Sequence, residues 1–216
     1  MTALEDNFPL HTLAAAEAAG RDVADDVRAA LAAGIDPHLT RDLGETAFNV
    51  AAANSPVTGR LLTLHWLQQA LDGQGSKGLN DISGSHGSTL AQYMAKWLLD
   101  EEIGRWLEKG RAQGLIVDAP NTAGWTPLTA AAAMGRLATV AALLPYYSRE
   151  ALCVQTVQPY TAVYRGHTVR YKSGLNALEI AQERMFQDEG ASEELGTALW
   201  ECADMIAAAL AAKKEA

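Results

Sequence analysis

The chain has 216 residues, only 6% of which are aromatic, and it carries a formal net charge of −9. Its length fits one domain or one elongated array of repeats. The negative charge disfavours nucleic acids and anionic membranes as partners and is compatible with a basic protein partner. The N-terminus lacks the pattern of a signal peptide and no apolar run approaches about 18 residues, so we expect a cytoplasmic protein without a membrane span. Two cysteines are too few for a disulfide framework, and both are expected to be reduced and partly buried.

Two helix pairs are predicted in the first third of the chain. A degenerate pair covers 9–38, where an alanine-rich segment precedes a helix that ends in Gly-Ile-Asp-Pro. A clearer pair covers 42–71, with a turn at Gly44, a helix start at Thr46 and an alanine pair. Its second helix is predicted from about residue 58, with an inward face at helical spacing formed by Leu61, Leu64, Leu67 and Leu71.

The next segment combines a loop with a third helix pair. Residues 72–86 are rich in Gly and Ser, which predicts a long mobile loop. Residues 86–118 repeat the turn and the helix start around Gly87 and Thr89. A second helix is predicted to follow, with apolar residues at helical spacing: Ile103, Trp106 and Leu107.

The segment 122–145 has the clearest helix start and stop signals in the chain. Thr126 can cap a helix, and Pro127 at the first helical position costs no hydrogen bond. A Gly-Arg break precedes a second helix whose apolar face is predicted to consist of Leu137, Val140, Ala141 and Leu144. Such a helix pair cannot bury its apolar face alone, so we expect a similar pair on each side of it.

The last third of the chain begins with a departure from the helical pattern. Two β-prone runs within 154–171 flank Arg165-Gly166, which predicts a β-hairpin. A looser copy of the helix-start pattern covers 172–190, and 192–212 predicts a closing helix capped by its first serine. The apolar stripe of that helix suits the capping element of a finite stack, and it is predicted to contain Leu195, Leu199, Cys202, Ala203, Ile206 and Leu210.

The run Gly-Trp-Thr-Pro-Leu-Thr-Ala-Ala-Ala-Ala-Met-Gly that starts at Gly124 resembles an ankyrin repeat. The resemblance implies an all-α, ankyrin-like solenoid of stacked helical hairpins over 1–216, with the β-hairpin near 154–171 as an insertion. Equivalent glycines are always further apart than the ankyrin period of about 33 residues, so each junction carries an insertion. Polar residues replace the family's histidine in the helix-start motif, and they are expected to preserve hydrogen bonds between neighbouring units: Asn49, Gln92, Thr129 and Glu179.

Patterns typical of catalytic or metal sites do not occur in the sequence. The five histidines are scattered, neither cysteine lies in a CxxC pair, and there is no HExxH pair. There is also no GxSxG nucleophile turn and no phosphate-binding glycine loop. We therefore expect no metal, no cofactor and no enzymatic activity.

Protein contacts are expected at the turn tips and on the concave face of the first helices, because ankyrin-like stacks use these surfaces. By matching positions, the resemblance implies as partner-binding residues Asp42, Leu43, Glu45, His86, Ser88, Lys96, Trp97, Thr122, Trp125, Met134, Lys172 and Arg184. Trp97 and Trp125 are the strongest candidates because aromatic anchors often contribute about 2 kcal/mol or more to an interface. Packing on the adjacent unit is the alternative for both. A second candidate patch lies on the hairpin, where an ordinary solvated edge is the alternative: Arg165, His167, Arg170 and Tyr171.

These features predict a non-enzymatic scaffold or adaptor that binds another protein and is a monomer when free. A general adaptor is favoured over a dedicated immunity protein that inhibits a bacterial toxin. The alternative from a different class is an exported effector or small hydrolase with a site near 72–86 or Cys153. A third interpretation is a structural module that associates with itself.

Overall fold

The computed structural model describes residues 7–164, 167–187 and 192–214, and this part of the chain is mostly helical with a few short strands. The helices are α1 (Pro9–Ala18), α2 (Ala24–Ala32), α3 (Ala47–Asn54), α4 (Pro56–Leu71), α5 (Leu90–Trp97), α6 (Asp100–Ala112), α7 (Pro127–Ala133), α8 (Leu137–Leu143), α9 (Arg149–Leu152), α10 (Ala177–Gln187) and α11 (Glu193–Ala212). The strands are β1 (Ile82–Ser83), β2 (Ser88–Thr89), β3 (Tyr160–Tyr164) and β4 (His167–Tyr171).

Most of the helices lie in two rows. The first helices are α1, α3, α5, α7 and α10, and the second helices are α2, α4, α6, α8 and α11. Among the first helices, α1 packs on α3, α5 on α7, and α7 on α10. Among the second helices, α2 packs on α4, α6 on α8, and α8 on α11. The contact between α4, a second helix, and α5, a first helix, joins the group of α1 to α4 to the group that follows it, so neighbouring helix pairs bury the apolar faces that a single pair would expose.

Polar residues of the predicted helix-start motifs close the first turns of α5 and α7. Thr89 N donates to Gln92 Oε1 at 2.7 Å and Gln92 N donates to Thr89 Oγ1 at 3.3 Å, which forms a capping box. Thr126 Oγ1 accepts a hydrogen bond from Thr129 N at 3.1 Å. The Gln92 side-chain amide also donates to the carbonyl of Trp125 in the next pair. The expected hydrogen bond between neighbouring units is therefore present at this junction.

The buried faces of α4 and α8 differ from the predicted ones. Because α4 is covered by α2, α3 and α5, its buried face is broad and includes Leu62 and Trp66. Two of its predicted inward residues are only partly buried, Leu61 and Leu64. In α8, Val140 and Leu143 are fully buried and Ala141 is exposed, so the buried face is rotated from the predicted stripe.

The helix α11 closes the array much as predicted. Ser192 Oγ accepts a hydrogen bond from Leu195 N at 3.3 Å, and the helix packs on α10 and α8. Of the described helices, only α11 has a length and mean hydropathy (1.3 over its best 18-residue window) compatible with crossing a membrane, which the sequence pattern did not predict. Its contacts with α10 and α8 bury one face of the helix, and 22% of that window is buried.

The two cysteines lie in opposite environments. Cys202 is buried in α11, and burial raises the pKa of its thiol to about 12. Cys153, at the end of α9, is exposed. The prediction that both thiols are partly buried is therefore wrong for Cys153.

The predicted β-hairpin is present as an antiparallel pair of β3 and β4, whose register runs from Tyr160↔Tyr171 to Tyr164↔His167. β4 contacts α10, and β3 reaches across to contact α3, which lies far away in sequence. The hairpin therefore bridges the row of first helices. Arg165 and Gly166, the predicted turn, lie outside the described residues.

The loop 72–86 is attached to its surroundings at several points, and the mobility that its composition predicts stays a prediction. Trp66 Nε1 donates to Gly78 O at 3.1 Å. Asn80 Nδ2 donates to Gly114 O at 2.9 Å, and Asn80 Oδ1 accepts from Ile116 N at 2.8 Å. The end of the loop forms the short β1–β2 pair. Side-chain amide and backbone groups thus hold a segment that has few apolar residues of its own.

Candidate functional site

A cavity of about 540 Å³ lies between the first helices α3, α5 and α7 and the strand β3. It is lined by these elements and by the turns that precede the helices, through Leu43, Glu45, Phe48, Asn49, Ser85, His86, Ser88, Gln92, Tyr93, Lys96, Asn121, Ala123, Trp125, Ala130, Met134, Tyr160 and Thr161. The helix starts of neighbouring pairs lie side by side, so the same part of each repeating motif faces the cavity.

Many of the predicted partner-binding residues meet at this cavity: Leu43, Glu45, His86, Ser88, Lys96, Trp125 and Met134. The exposed Thr122 lies in the next turn and donates from its hydroxyl to His86 O at 2.7 Å, which fastens two neighbouring turns together. Exposed Arg170 and Lys172 do not line the cavity. Whether any of these residues contacts a partner stays a prediction.

Other predicted site residues are turned into the protein. The Trp97 ring packs directly on Gly59 of α4, where an added Cβ would lie 2.7 Å from the ring. Tyr171 is buried against Trp125, and Arg184 of α10 is only 3% exposed. The three side chains are buried in this structure, and a contact of any of them with a partner stays a prediction. The Asp42 and His167 side chains and all of Arg165 lie outside the described part of the structure.

The hairpin covers Trp125. Its ring centroid lies 4.9 Å from that of Tyr160 and 5.3 Å from that of Tyr171, and the residue is only 7% exposed. The sequence did not identify Tyr160 and Thr161 as cavity residues, because no motif near them indicates that the hairpin contacts the distant helix α3. The sequence also did not identify Phe48, because nothing in the small residues around it indicates that it lines the cavity.

The rim of the cavity carries an exposed leucine in an unfavourable backbone conformation. Leu43 has a φ of +62° and is 98% exposed. Left-handed φ values are uncommon for residues other than glycine, asparagine and aspartate, and they cost about 1 kcal/mol or more. The turn is held by Arg41, whose backbone N donates to Glu45 O at 2.9 Å and whose Nε donates to Glu45 Oε2 at 2.5 Å. Sparsely populated backbone conformations cluster at active and ligand-binding sites, which makes the exposed Leu43 a candidate contact residue.

Aromatic side chains form much of the inner wall. The ring centroids of Phe48 and Tyr93 are 4.4 Å apart, and Tyr93 Oη donates to Ser83 O at 3.3 Å. Burial raises the pKa of Tyr93 and that of Tyr160, so both phenols are neutral at physiological pH. The wall thus offers apolar surface with neutral polar groups.

Lys96 brings a positive charge to this wall. Its residue is partly buried, and desolvation lowers the pKa of the Lys96 ammonium to about 8. Nζ lies 4.9 Å from the centroid of the Trp97 ring. Within the described residues, no carboxylate forms an ion pair with Lys96 and no hydrogen bond from Nζ is found.

A serine–histidine pair lies elsewhere, near the loop 72–86. His38 Nδ1 and Ser83 Oγ are 2.8 Å apart. His38 packs against Phe48 and Trp66, and burial lowers the pKa of its imidazole to about 4. Ser83 is only 5% exposed and neither residue lines the cavity, so a substrate has no evident approach to the hydroxyl. The described residues contain no cluster of three or more histidine, cysteine or acidic side chains suited to a metal ion.

Comparison with protein-family models finds no match for this chain, and comparison with curated proteins finds none either. Function is therefore inferred from the geometry of the cavity and its rim.

Proposed function

We propose that this protein is an ankyrin-like scaffold or adaptor that binds another protein through the cavity and its rim. The two rows of helices, the capped helix starts and the hydrogen bond from Gln92 to the next pair support an ankyrin-like arrangement. On this interpretation the first helices form the concave face, and the hairpin is an insertion that covers part of it.

The observation that carries the proposal is the cavity itself. Its volume of about 540 Å³ lies within the range of roughly 300–1,000 Å³ that is usual for binding pockets. Its lining comes from three helix pairs and the hairpin, and it combines apolar walls with a few polar groups, as binding sites commonly do. The exposed, strained Leu43 at the rim favours a macromolecular partner over a small ligand that would be fully enclosed.

Filling the cavity tests this proposal. Ala130 of α7 lines the cavity, whereas Ala138 of α8 is exposed and does not. We expect affinity capture from the native cells, followed by mass spectrometry, to recover a stoichiometric partner with the wild type and with Ala138→Phe. Ala130→Phe should reduce recovery at least tenfold with an unchanged melting temperature. Equal recovery with both variants would show that the partner binds elsewhere.

The identity of the captured protein separates the two versions of the proposal. A toxin whose activity falls on binding would favour a dedicated inhibitor, and a partner without such activity would favour a general adaptor. We place the complex in the cytoplasm and the free protein in a monomeric state. Size-exclusion chromatography with light scattering at micromolar concentration would contradict the latter by revealing a dimer, as the self-associating structural module would require.

A small hydrolase is the second candidate, favoured by the contact between His38 and Ser83. A serine hydroxyl bonded to a neutral histidine is the minimal arrangement of an activated nucleophile. Labelling with a fluorophosphonate probe tests it: modification of Ser83 that disappears in His38→Gln would support a hydrolase. The burial of Ser83 leads us to expect no labelling.

A further inference from the structure

Lys96 is a cation whose position a generic protein-binding surface does not explain. It lies on α5, faces the cavity, and within the described residues has no acidic partner. Removing an ammonium from water is costly unless an opposite charge or several acceptors replace the solvent. The contact with the Trp97 ring offsets only part of that cost.

The charges around the cavity leave Lys96 uncompensated. Among the described residues that line the cavity, and apart from His86, those with ionised side chains at neutral pH are Lys96 and Glu45. The Glu45 carboxylate is engaged by Arg41, with Nε and Oε2 2.5 Å apart. The remaining polar groups of the lining are neutral amides and hydroxyls, among them those of Asn49 and Ser88. The cavity is therefore locally electropositive in a chain whose net charge is −9.

We propose that Lys96 receives a carboxylate of the partner polypeptide inside the cavity, with the apolar residues next to that carboxylate packed against Met134 and Tyr160, which line the cavity and are only partly buried. This inference rests on the proposed protein-binding function and specifies the chemistry of the partner. A single ammonium, in a cavity whose other described polar groups are mostly neutral amides and hydroxyls, matches a group with one negative charge. Phosphate groups are more commonly held by arginine forks, helix N-termini or several cations.

The net charge of the chain restricts the partner further. A highly acidic segment would be repelled by a protein with a charge of −9 before it reached the cavity. A lone acidic residue, or a chain terminus, among apolar residues avoids this repulsion and still pairs with Lys96. The partner as a whole can be neutral or basic, provided that the segment entering the cavity presents one carboxylate.

Peptide selection tests the inference directly. Two random heptapeptide libraries, one with amidated and one with free C-termini, are selected on the full-length wild type, on Lys96→Met and on Lys109→Met. Lys109 of α6 is exposed and does not line the cavity, so it is a matched control for the loss of one positive charge. We expect the wild type and Lys109→Met to enrich the same peptides, each with one carboxylate flanked by apolar residues, and Lys96→Met to lose that enrichment.

The two libraries distinguish the source of the carboxylate. Enrichment of a single aspartate or glutamate in the amidated library assigns it to a side chain, and enrichment only in the free-terminus library assigns it to a C-terminus. An enriched peptide should bind the wild type at least tenfold more tightly than its Gln, Asn or amidated counterpart, with no such difference in Lys96→Met. Selection of peptides without any carboxylate preference, or the same preference in Lys96→Met, would overturn the inference.

Failure here is separable from failure of the proposed function. If Lys96→Met retains the captured partner and Ala130→Phe loses it, the cavity binds the partner but Lys96 does not receive a carboxylate. If both variants retain the partner, the cavity is not the binding site and both proposals fall.

Discussion

Arginines at the second helices form ion pairs and hydrogen bonds, whereas the lysine on the cavity wall has no acidic partner among the described residues. Arg60 of α4 makes a two-pronged ion pair with Glu102 of α6, with distances of 3.0 and 2.5 Å. Arg136, just before α8, donates to the carbonyls of Ala95 and Leu98 and to the Asp100 carboxylate. These arginines join neighbouring helix pairs. In contrast, Lys96 has no acidic partner among the described residues.

This difference indicates that the arginines stabilise the array of helices, whereas, on our proposal, Lys96 serves binding. The paired arginines satisfy buried or partly buried acceptors, so their loss should lower stability and leave a ligand site unaffected. An uncompensated cation does not stabilise the fold, so its loss should weaken binding without lowering stability at pH 7. The following changes test this separation through the free energy of unfolding.

Arg136→Met should have the largest effect. It removes donors from two backbone carbonyls at the end of α5 and leaves Ala95 O and Leu98 O without their charged partner. Hydrogen bonds to charged groups contribute about 1.5–3 kcal/mol each, with partial replacement by water, so we expect a loss of about 3 kcal/mol. Urea unfolding measures it, and Arg105→Met, at an exposed position of α6, serves as the control. A loss below about 1 kcal/mol would contradict the structural role assigned to Arg136.

His38→Gln should change the pH dependence of stability. Burial lowers the pKa of His38 from 6.5 to about 4 in the folded protein, so the unfolded chain takes up this proton first as the pH falls. Its contribution is fully present above pH 6.5 and is lost towards pH 4. Between pH 6.5 and 5 the wild type should lose about 2 kcal/mol from this group. Urea titrations across that range should show a shallower slope for His38→Gln, and equal slopes would contradict the burial of a neutral imidazole.

Local hydrogen bonding explains why much of the array could be predicted from the sequence. Thr89 and Thr126 cap helices through residues three positions later, and such motifs are complete within four residues. The strands of the hairpin were likewise marked by β-prone runs around a glycine.

Contacts between distant segments could not be predicted in this way. The sequence left two roles open for Trp125, an anchor for a partner or packing on the adjacent unit, and it did not predict that Tyr160 and Tyr171 of the hairpin cover the ring. Arg184 matched a turn-facing position of the family pattern, yet packing around α10 buries it. That Lys96 has no acidic partner among the described residues also depends on where distant segments place their carboxylates, and Glu45, the described acidic residue of the cavity lining, pairs with Arg41.

Arg60→Met should cost less than the change at Arg136. The pair with Glu102 has good geometry but is partly solvated, with side-chain exposures of 29% and 16%. Partly exposed ion pairs typically contribute up to about 1 kcal/mol, and we expect a loss of that size at neutral pH. The Arg60 hydrogen bond lowers the pKa of Glu102, so this contribution should disappear as the pH falls through the folded-state pKa of that carboxyl. Unfolding measured at pH 7 and pH 3 checks both statements, and a loss that is equal at the two pH values would contradict the pairing.

Lys96→Met should have the smallest effect on stability and the opposite sign. Desolvation lowers the pKa of Lys96 from 10.5 to about 8, so at pH 7 the folded protein bears the cost of a poorly solvated charge that methionine does not carry. We expect the variant to equal the wild type or exceed it by up to about 1 kcal/mol, because replacing a buried charge by an apolar side chain of similar volume is often neutral or stabilising.

The pH dependence sharpens that last expectation. Between pH 8 and 10.5 the unfolded chain holds the Lys96 proton that the folded protein has released, so the wild type should gain stability relative to Lys96→Met as the pH rises through this range. Chemical denaturation of both proteins at pH 7 and pH 10 measures the change. If Lys96→Met is instead less stable at pH 7 by as much as Arg60→Met, then Lys96 has a structural partner, and the contrast between paired and uncompensated cations fails. If the variant is as stable as the wild type and has lost only the carboxylate preference, then the positive charge in the cavity serves binding and does not contribute to stability.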